Sequence, residues 1–387
     1  MVTNLPAEAK AKWIRVMEAR SIEEKIRALE EFLSSVPKHK GTERLREWAT
    51  KRLAQLRDEL EESRKKKSGR GISFFIEKSG AAQVVVIGPP NSGKSLLVNK
   101  LTGARTIIAD YPFSTTYPVP GMLRYEDVYF QLVDAPPLSR DSSLIGKVIG
   151  LIRNADCLLI TLDASRDVLS DYDEIVELLR DEGILISKPK GRVVMEIQRV
   201  GKSGIRITSM GKLIGATLDD VKKLLESYRI FNAHVKIYGE VTLDDVEQTI
   251  FENTTYKPSI VFINKSDLGK VDDTILMEIE RKTPGVPVAV GSAVTGKGLD
   301  KIAPLIFKTL DLIRIYTKSP NTPPSPRPLI LKRGSTIYDV ALNIHKDFVK
   351  NFQYAKIWGP SAKYPGEKVG LDHVVEDGDI VEIHIRG

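Results

Sequence analysis

The sequence predicts an α/β protein centred on a phosphate-loop domain with a parallel-rich sheet. A helical hairpin precedes that domain, an α+β subdomain interrupts it, and a small β-grasp domain follows. Three observations carry the prediction. From residue 82 onward, short Val- and Ile-rich runs alternate with helical segments, the pattern of a parallel sheet flanked by helices. The first run leads directly into Gly88-Pro89-Pro90-Asn91-Ser92-Gly93-Lys94-Ser95, a match to G-x-x-x-x-G-K-S. Ser319 to Pro326 is rich in proline, can form neither helix nor central strand, and sets off residues 329–387.

Residues 1–80 read as a helical region. Ser21 with Glu24 makes a capping box, after which Ile22, Ile26, Leu29 and Leu33 recur at helical spacing. A break at Pro37 to Gly41 precedes a second helix with Leu45, Trp48, Leu53, Leu56 and Leu60 on its apolar stripe. Its end, Arg64-Lys65-Lys66-Lys67, reads as a solvated helix terminus. The central domain, 81–318, has candidate strands at Val84 to Gly88, Tyr129 to Asp134, Cys157 to Asp163, Ser259 to Asn264 and Val286 to Val290. The gap between the third and fourth strands is too long for one crossover. It holds a helix near Asp171 to Asp181, two strands at Val193 to Arg199 and Gly204 to Thr208 joined by the turn-like Gly201-Lys202-Ser203, and a helix from Thr217 to Arg229. Residues 185–250 are therefore read as an inserted subdomain. After a stiff linker at 319–328, Leu329 to Lys332 reads as a strand and Thr336 to Phe348 as a helix. Asp377-Gly378-Asp379 then turns into a last strand, Ile380 to Ile385, an order that fits a ubiquitin-like β-grasp.

The chain has 387 residues, enough for roughly two to three domains. With 42% apolar and 28% charged residues, disordered, collagenous and disulfide-dense classes are excluded. Cys157 is the single cysteine, and its apolar neighbours predict a buried strand thiol and a reducing, cytoplasmic setting. No window has the roughly 18 apolar residues of a membrane span, and the N-terminus lacks the apolar core of a signal peptide. A soluble chain with no membrane partner is expected.

The net charge of +7 is unevenly spread. Residues 1–70 carry 18 basic and 12 acidic residues, and Ser187 to Lys212 carries seven basic residues and only Glu196. Such zones suit a polyanionic partner, although a solvated helix face and a charged loop would carry the same charge. In the second zone Lys190, Arg192, Arg199, Lys202 and Arg206 are the candidate RNA contacts. The five histidines have no ligand spacing, so no protein-built metal cage is indicated, and the three tryptophans are read as packing residues.

In the G-x-x-x-x-G-K-S segment, Gly88 and Gly93 let backbone N–H groups of Pro90-Asn91-Ser92 and of Lys94-Ser95-Leu96 wrap phosphates at a helix N-terminus wherever an N–H exists. Lys94 neutralises the β and γ charges, and Ser95 can ligate magnesium. Asn264-Lys265-Ser266-Asp267 follows an apolar strand. The Asp267 carboxylate can accept from both N1–H and the 2-amino group of guanine, donors that adenine does not present together. Asn264 would hold O6/N7 or tie to the phosphate loop, and the Lys265 stem would cover the base. Gly291-Ser292-Ala293 is placed to offer N–H groups to O6. Asp134 can hold magnesium through water, but Pro137 stands where D-x-x-G has glycine and offers no N–H to a γ-phosphate. Leu138 stands where many small GTPases carry the glutamine that orients water.

Tyr111-Pro112-Phe113-Ser114-Thr115-Thr116-Tyr117-Pro118 and Gly121, with Phe75-x-x-Lys78-Ser79-Gly80, resemble the Obg-related developmentally regulated GTP-binding (DRG) proteins. The resemblance spans nearly the whole chain. It implies a P-loop GTPase domain, an insertion like part of a small-subunit ribosomal protein, and a C-terminal TGS domain. It further implies that Thr115 is the effector-loop magnesium ligand, with Thr116 the adjacent alternative, and that Asn91 helps coordinate K⁺ beside the phosphates in place of a catalytic glutamine. Lys94, Thr115 and Asn91 are then the catalytic candidates, Mg²⁺ and K⁺ the cofactors, and GTP/GDP, the ribosome or structured RNA, and a DRG-family regulatory protein the partners. Asp-Ala-Pro-Pro departs from the family's Asp-x-Pro-Gly. A weakly hydrolysing GTP-sensing scaffold is the rival expectation.

Overall fold

The computed structural model describes residues 5–19, 21–38, 42–66, 74, 76–103, 117–140, 142, 144–188, 191–197, 204–251 and 255–386. The chain divides into two compact units, one formed by Met1–Ser73 with Lys188–Thr255 and the other by Phe74–Ser187 with Tyr256–Gly387.

The chain starts with three helices, α1 (Ala7–Glu18), α2 (Ile22–Ser35) and α3 (Glu43–Lys66). The expected capping box closes α2, with Glu24 N–H donating to Ser21 Oγ at 3.1 Å and Ser21 N–H to Glu24 Oε2 at 3.3 Å. Helix α1 adds a third member to the expected hairpin. It has no capping side chain at its start and buries only Ala9 and Trp13, so it carries little periodic signal.

The second unit opens with β1 (Ala82–Ile87), α4 (Lys94–Thr102), β2 (Val119–Tyr125), β3 (Val128–Asp134), α5 (Ile145–Asn154), β4 (Cys157–Asp163), α6 (Val168–Asp181) and β5 (Ile184–Leu185). Strands β1 and β4 are wholly buried, which is why their apolar runs are continuous rather than alternating. Burial also pushes the Cys157 thiol up to about 12, so the group stays protonated as a small apolar filler. β2 is an edge strand antiparallel to β3. Pro120 and Gly121 hide it from a propensity reading, and an edge position tolerates both.

The insertion comprises β6 (Gly191–Ile197), β7 (Ile205–Leu213), α7 (Leu218–Ser227), β8 (Ala233–Val241) and α8 (Leu243–Phe251). The expected β6–β7 hairpin does not form. β8 lies between the two strands, antiparallel to β6 and parallel to β7. Ala233, Val235, Ile237 and Val241 of β8 are buried, and this apolar side makes it the central strand. The sequence reading separates the N-terminal helices from this insertion, but they share one core, in which Trp13 meets Phe32 and Phe251 with ring centroids 5.0 Å apart in each case.

After β9 (Thr255–Tyr256), the second unit continues with β10 (Ser259–Asn264), α9 (Asp273–Lys282), β11 (Val288–Val290) and α10 (Ile302–Thr309). Lys257 N–H donates to Leu185 O at 2.8 Å, joining the segments by which the chain leaves and re-enters this unit. The main sheet has the order β11-β10-β4-β1-β3-β2, parallel except at β2.

The C-terminal sheet contains β12 (Leu312–Thr317) and β13 (Leu329–Lys332). Two helices follow, α11 (Ile337–Ile344) and α12 (Lys346–Lys350), and then β14 (Phe352–Trp358), β15 (Glu367–Val369) and β16 (Ile380–Ile385). Its order is β13-β12-β16-β14-β15. Two corrections follow. The single helix expected over Thr336 to Phe348 is broken at His345, whose backbone is extended at φ −168°. The domain also starts before the Pro-rich stretch. β12 pairs antiparallel with β13 and parallel with β16, so the expected linker is a loop between paired strands. β12 lies only two residues beyond α10, and Leu312 and Ile313 prolong the helix's apolar run and mask the boundary.

An ionic cluster ties this sheet to the turn between β2 and β3. Arg314 Nη1 donates to Glu126 Oε2, Arg314 Nη2 donates to Asp377 Oδ2 at 2.8 Å, and Tyr316 OH donates to Asp127 Oδ2 at 2.5 Å. Accepting that last bond, Asp127 pushes the Tyr316 phenol up to about 12.

Candidate nucleotide site

The phosphate loop spans the tight passage from β1 to α4. Gly93 caps α4 with φ 84°, and a Cβ there would come within 2.4 Å of Asn264 Nδ2. Glycine is required on both grounds. Asn91 also has positive φ, at 63°, and its side chain is exposed. Pro90, Ser95 and Leu96 are partly buried. Lys94 is buried and its ammonium donates to Gly88 O at 3.1 Å and Pro89 O at 2.7 Å. Burial drives its pKa down to about 8, while the charge of Asp134 opposes the shift. Asp134 ends β3, fully buried, in register with Val86. Ser95 and Asp134 supply oxygen donors of the hard kind that magnesium takes.

Asn264 ends β10 and staples two loops together. Its Nδ2 donates to Ser92 O at 3.0 Å and its Oδ1 accepts from Ala293 N–H at 2.9 Å. Of the two roles left open for Asn264, the structure contains the tie to the phosphate loop. The N–H groups expected to meet guanine O6 are engaged differently. Ala293 N–H serves Asn264, Ser292 N–H donates to Lys297 O at 2.9 Å, and Gly291 N–H donates to Ile263 O at 3.0 Å. Ser292 is buried, with Oγ accepting from Val294 N–H and Thr295 N–H, each at 3.2 Å. Lys265 has φ 60° and donates to Asp163 Oδ2 at 2.6 Å. Asp267 is exposed in the turn that follows.

Leu138 is 3% exposed and packs in the core with Val148, Ile149 and Ile152, while its N–H donates to Gly88 O at 3.1 Å. Pro137 beside it is buried. Thr115 and its alternative Thr116 lie outside the described residues, as do Lys190, Arg199 and Lys202. Arg192 stands opposite Tyr238 in the β6–β8 register, and exposed Arg206 stands opposite His234 in the β7–β8 register. Asp163 and Ser165, absent from the sequence reading, join the site through Lys265.

A family described as 50S ribosome-binding GTPase matches residues 83–194, the C-terminal region of that domain matches 202–312, and the TGS domain matches 313–385. The TGS match begins at β12, ahead of the Pro-rich loop. Developmentally-regulated G-protein 3 of Arabidopsis thaliana is 34% identical over 373 residues, 94% of this chain and 98% of that protein. The chain belongs to the developmentally regulated GTP-binding protein family. Among other relatives of this DRG protein, an uncharacterized GTP-binding protein of Methanocaldococcus jannaschii is 36% identical over 96% of this chain and 95% of its own. Ribosome-interacting GTPase 1 of Saccharomyces cerevisiae is 32% identical over 93% of this chain and 98% of its own. A crystal structure of a GTP-binding protein from Pyrococcus horikoshii aligns with a TM-score of 0.47 at 20% identity, covering 79% of this chain and 100% of that one. By the family match and the full-length relatives, the DRG chain is a GTP-binding protein of the GTPase class. No helix among its described residues is long and apolar enough to cross a membrane.

Proposed function

We propose that the protein binds Mg-GTP, hydrolyses it slowly by water attack on the γ-phosphate, and acts in the cytoplasm as a nucleotide-dependent switch on ribosomes or structured RNA. The observation that carries this reading is the Asn264 staple, which holds the base-reading segment against the phosphate loop at Ser92. Lys94 would exchange its two carbonyl partners for phosphate oxygens, and burial makes its charge count for more than it would in water. Mg²⁺ would rest on Ser95, Asp134, Thr115, phosphates and water, supplying charge neutralisation at the developing negative oxygens.

Leu138 is turned into the core and cannot position water, so the remaining charge stabilisation is assigned to K⁺ near Asn91. Single-turnover hydrolysis in potassium should exceed that in sodium by about tenfold, on the order of 1.4 kcal/mol in barrier. Asn91→Ala should remove the difference with nucleotide binding retained. Equal rates in the two buffers would take the cation out of the mechanism. The buried Pro137 and Leu138 also favour the rival reading, a GTP-sensing scaffold that scarcely turns over. Single-turnover rates with and without ribosomes separate the two, because a scaffold stays slow in both.

For the RNA partner, support comes from the open face of the β6-β8-β7 sheet. Arg206, Thr208, Met210 and Lys212 of β7 stand opposite His234, Lys236, Tyr238 and Glu240 of β8. Log affinity for ribosomes or structured RNA should fall roughly linearly with log salt, and Arg206→Glu with Lys212→Glu should flatten that slope. Absence of co-sedimentation at low salt in every nucleotide state would reduce these basic residues to solvated surface.

A further inference from the structure

Asp163 lies outside every motif, yet it anchors the residue expected to cover the base. It ends β4 and faces Asn264 in the β4–β10 register, which brings it beside Lys265. Its side chain is 4% exposed. Oδ2 accepts from Lys265 Nζ at 2.6 Å, and Oδ1 accepts from Ser165 N–H at 2.9 Å and Ser165 Oγ at 2.6 Å. Lys265 is constrained at both ends, by its left-handed backbone and by this ion pair. Between them the stem passes the phosphate loop, with Cε 3.9 Å from the position that a Cβ on Gly93 would take.

We propose that Asp163 is a positioning residue for nucleotide binding, holding the Lys265 side chain extended so that its four-carbon stem forms one wall of the guanine slot. Burial alone would raise the Asp163 carboxyl, but the bonds from Lys265 and Ser165 hold it below its ordinary value, so it is an anion at neutral pH. The ammonium is thereby neutralised where it sits, and Lys265 acts through its stem rather than its charge. Without the anchor the stem regains its torsional freedom, which nucleotide binding must then remove again. A purely local role is the competing explanation, since the Ser165 bonds form an Asx turn at the end of β4. That turn uses Oδ1, whereas Lys265 uses Oδ2, so the two roles are separable.

This inference rests on the guanine-site reading. The test is fluorescence titration of the full chain with GDP, a non-hydrolysable GTP analogue and ATP, for the wild type, Asp163→Asn, Ser165→Ala, Lys265→Met and the Asp163→Asn/Lys265→Met pair. Wild-type preference for guanine over adenine nucleotides tests the reading itself. Asp163→Asn keeps an oxygen for Ser165 and loses the ion pair. It should weaken GDP and the GTP analogue by the same factor, about tenfold, within the range measured for coupled neighbours. In the Lys265→Met background, where an unbranched apolar side chain of similar reach needs no anchor, Asp163→Asn should cost less than about twofold. Ser165→Ala should leave affinity near wild type. Additive losses in the double variant, wild-type affinity in Asp163→Asn, or a Ser165→Ala chain as weak as Asp163→Asn would each overturn the proposal. Wild-type indifference between GDP and ATP would overturn the reading beneath it.

Discussion

If Asp267 reads guanine as proposed, Asp267→Asn is expected to weaken GTP binding by at least about 100-fold, because each of the two charge-assisted hydrogen bonds it would accept from the base is worth about 1.5–3 kcal/mol. The variant should in turn gain affinity for xanthosine triphosphate, whose 2-oxo group can accept from an amide donor. The fold should not suffer. Asp267 is exposed, and its turn is closed by backbone bonds from Ser266 N–H to Gly291 O at 3.0 Å and from Leu268 N–H to Lys265 O at 2.9 Å. Titration of wild type and variant with GTP, XTP and ATP reads the effect directly. A wild-type chain that takes ATP as tightly as GTP refutes the assignment.

The second large effect is expected at Leu138. Truncation to alanine should destabilise the chain by about 2–5 kcal/mol, the range for a buried leucine whose cavity collapses only partly. Leu138→Gln, which restores the residue type many small GTPases carry at this place, should destabilise comparably because it buries an amide among Val148, Ile149 and Ile152. It should not accelerate hydrolysis, since the side chain points into the core. Urea unfolding and single-turnover rates on the same preparations check both statements. A glutamine variant that is as stable as wild type and faster would mean that the segment after Asp134 turns over to face the nucleotide.

The strands Cys157–Asp163, Ser259–Asn264, Leu329–Lys332 and Ile380–Ile385 are legible in the sequence to the residue. Two of them are buried on both faces, and their unbroken apolar runs have no polar face to confuse the pattern. β2, β8 and β12 are missed for different reasons. Pro120 and Gly121 obscure the first, β8 alternates buried and partly exposed residues in a short window after a helix, and β12 follows α10 too closely for a boundary to register. The site divides the same way. Residues whose chemistry is local, Lys94 among them, are legible because motif spacing encodes them. Asp163 is invisible in one dimension, since only the β4–β10 register brings it to Lys265. The engagement of Ala293 N–H by Asn264 is likewise a tertiary fact.

The loop between β12 and β13 changes how the chain should be cut. A protease acting among residues 319–326 would sever the backbone without releasing a domain, because β12 remains paired to β13 on one side and to β16 on the other. The two fragments should migrate together under native conditions and separate only in denaturant. Ending the chain at Lys318 would strip β12 of both neighbours and leave Leu312, Ile313 and Ile315, all buried in the intact protein, on a bare strand edge prone to self-association. Deletion of the C-terminal domain as a genetic unit therefore belongs before Leu312, and phenotypes of deletions placed in the proline-rich stretch report a damaged remainder as much as a missing domain.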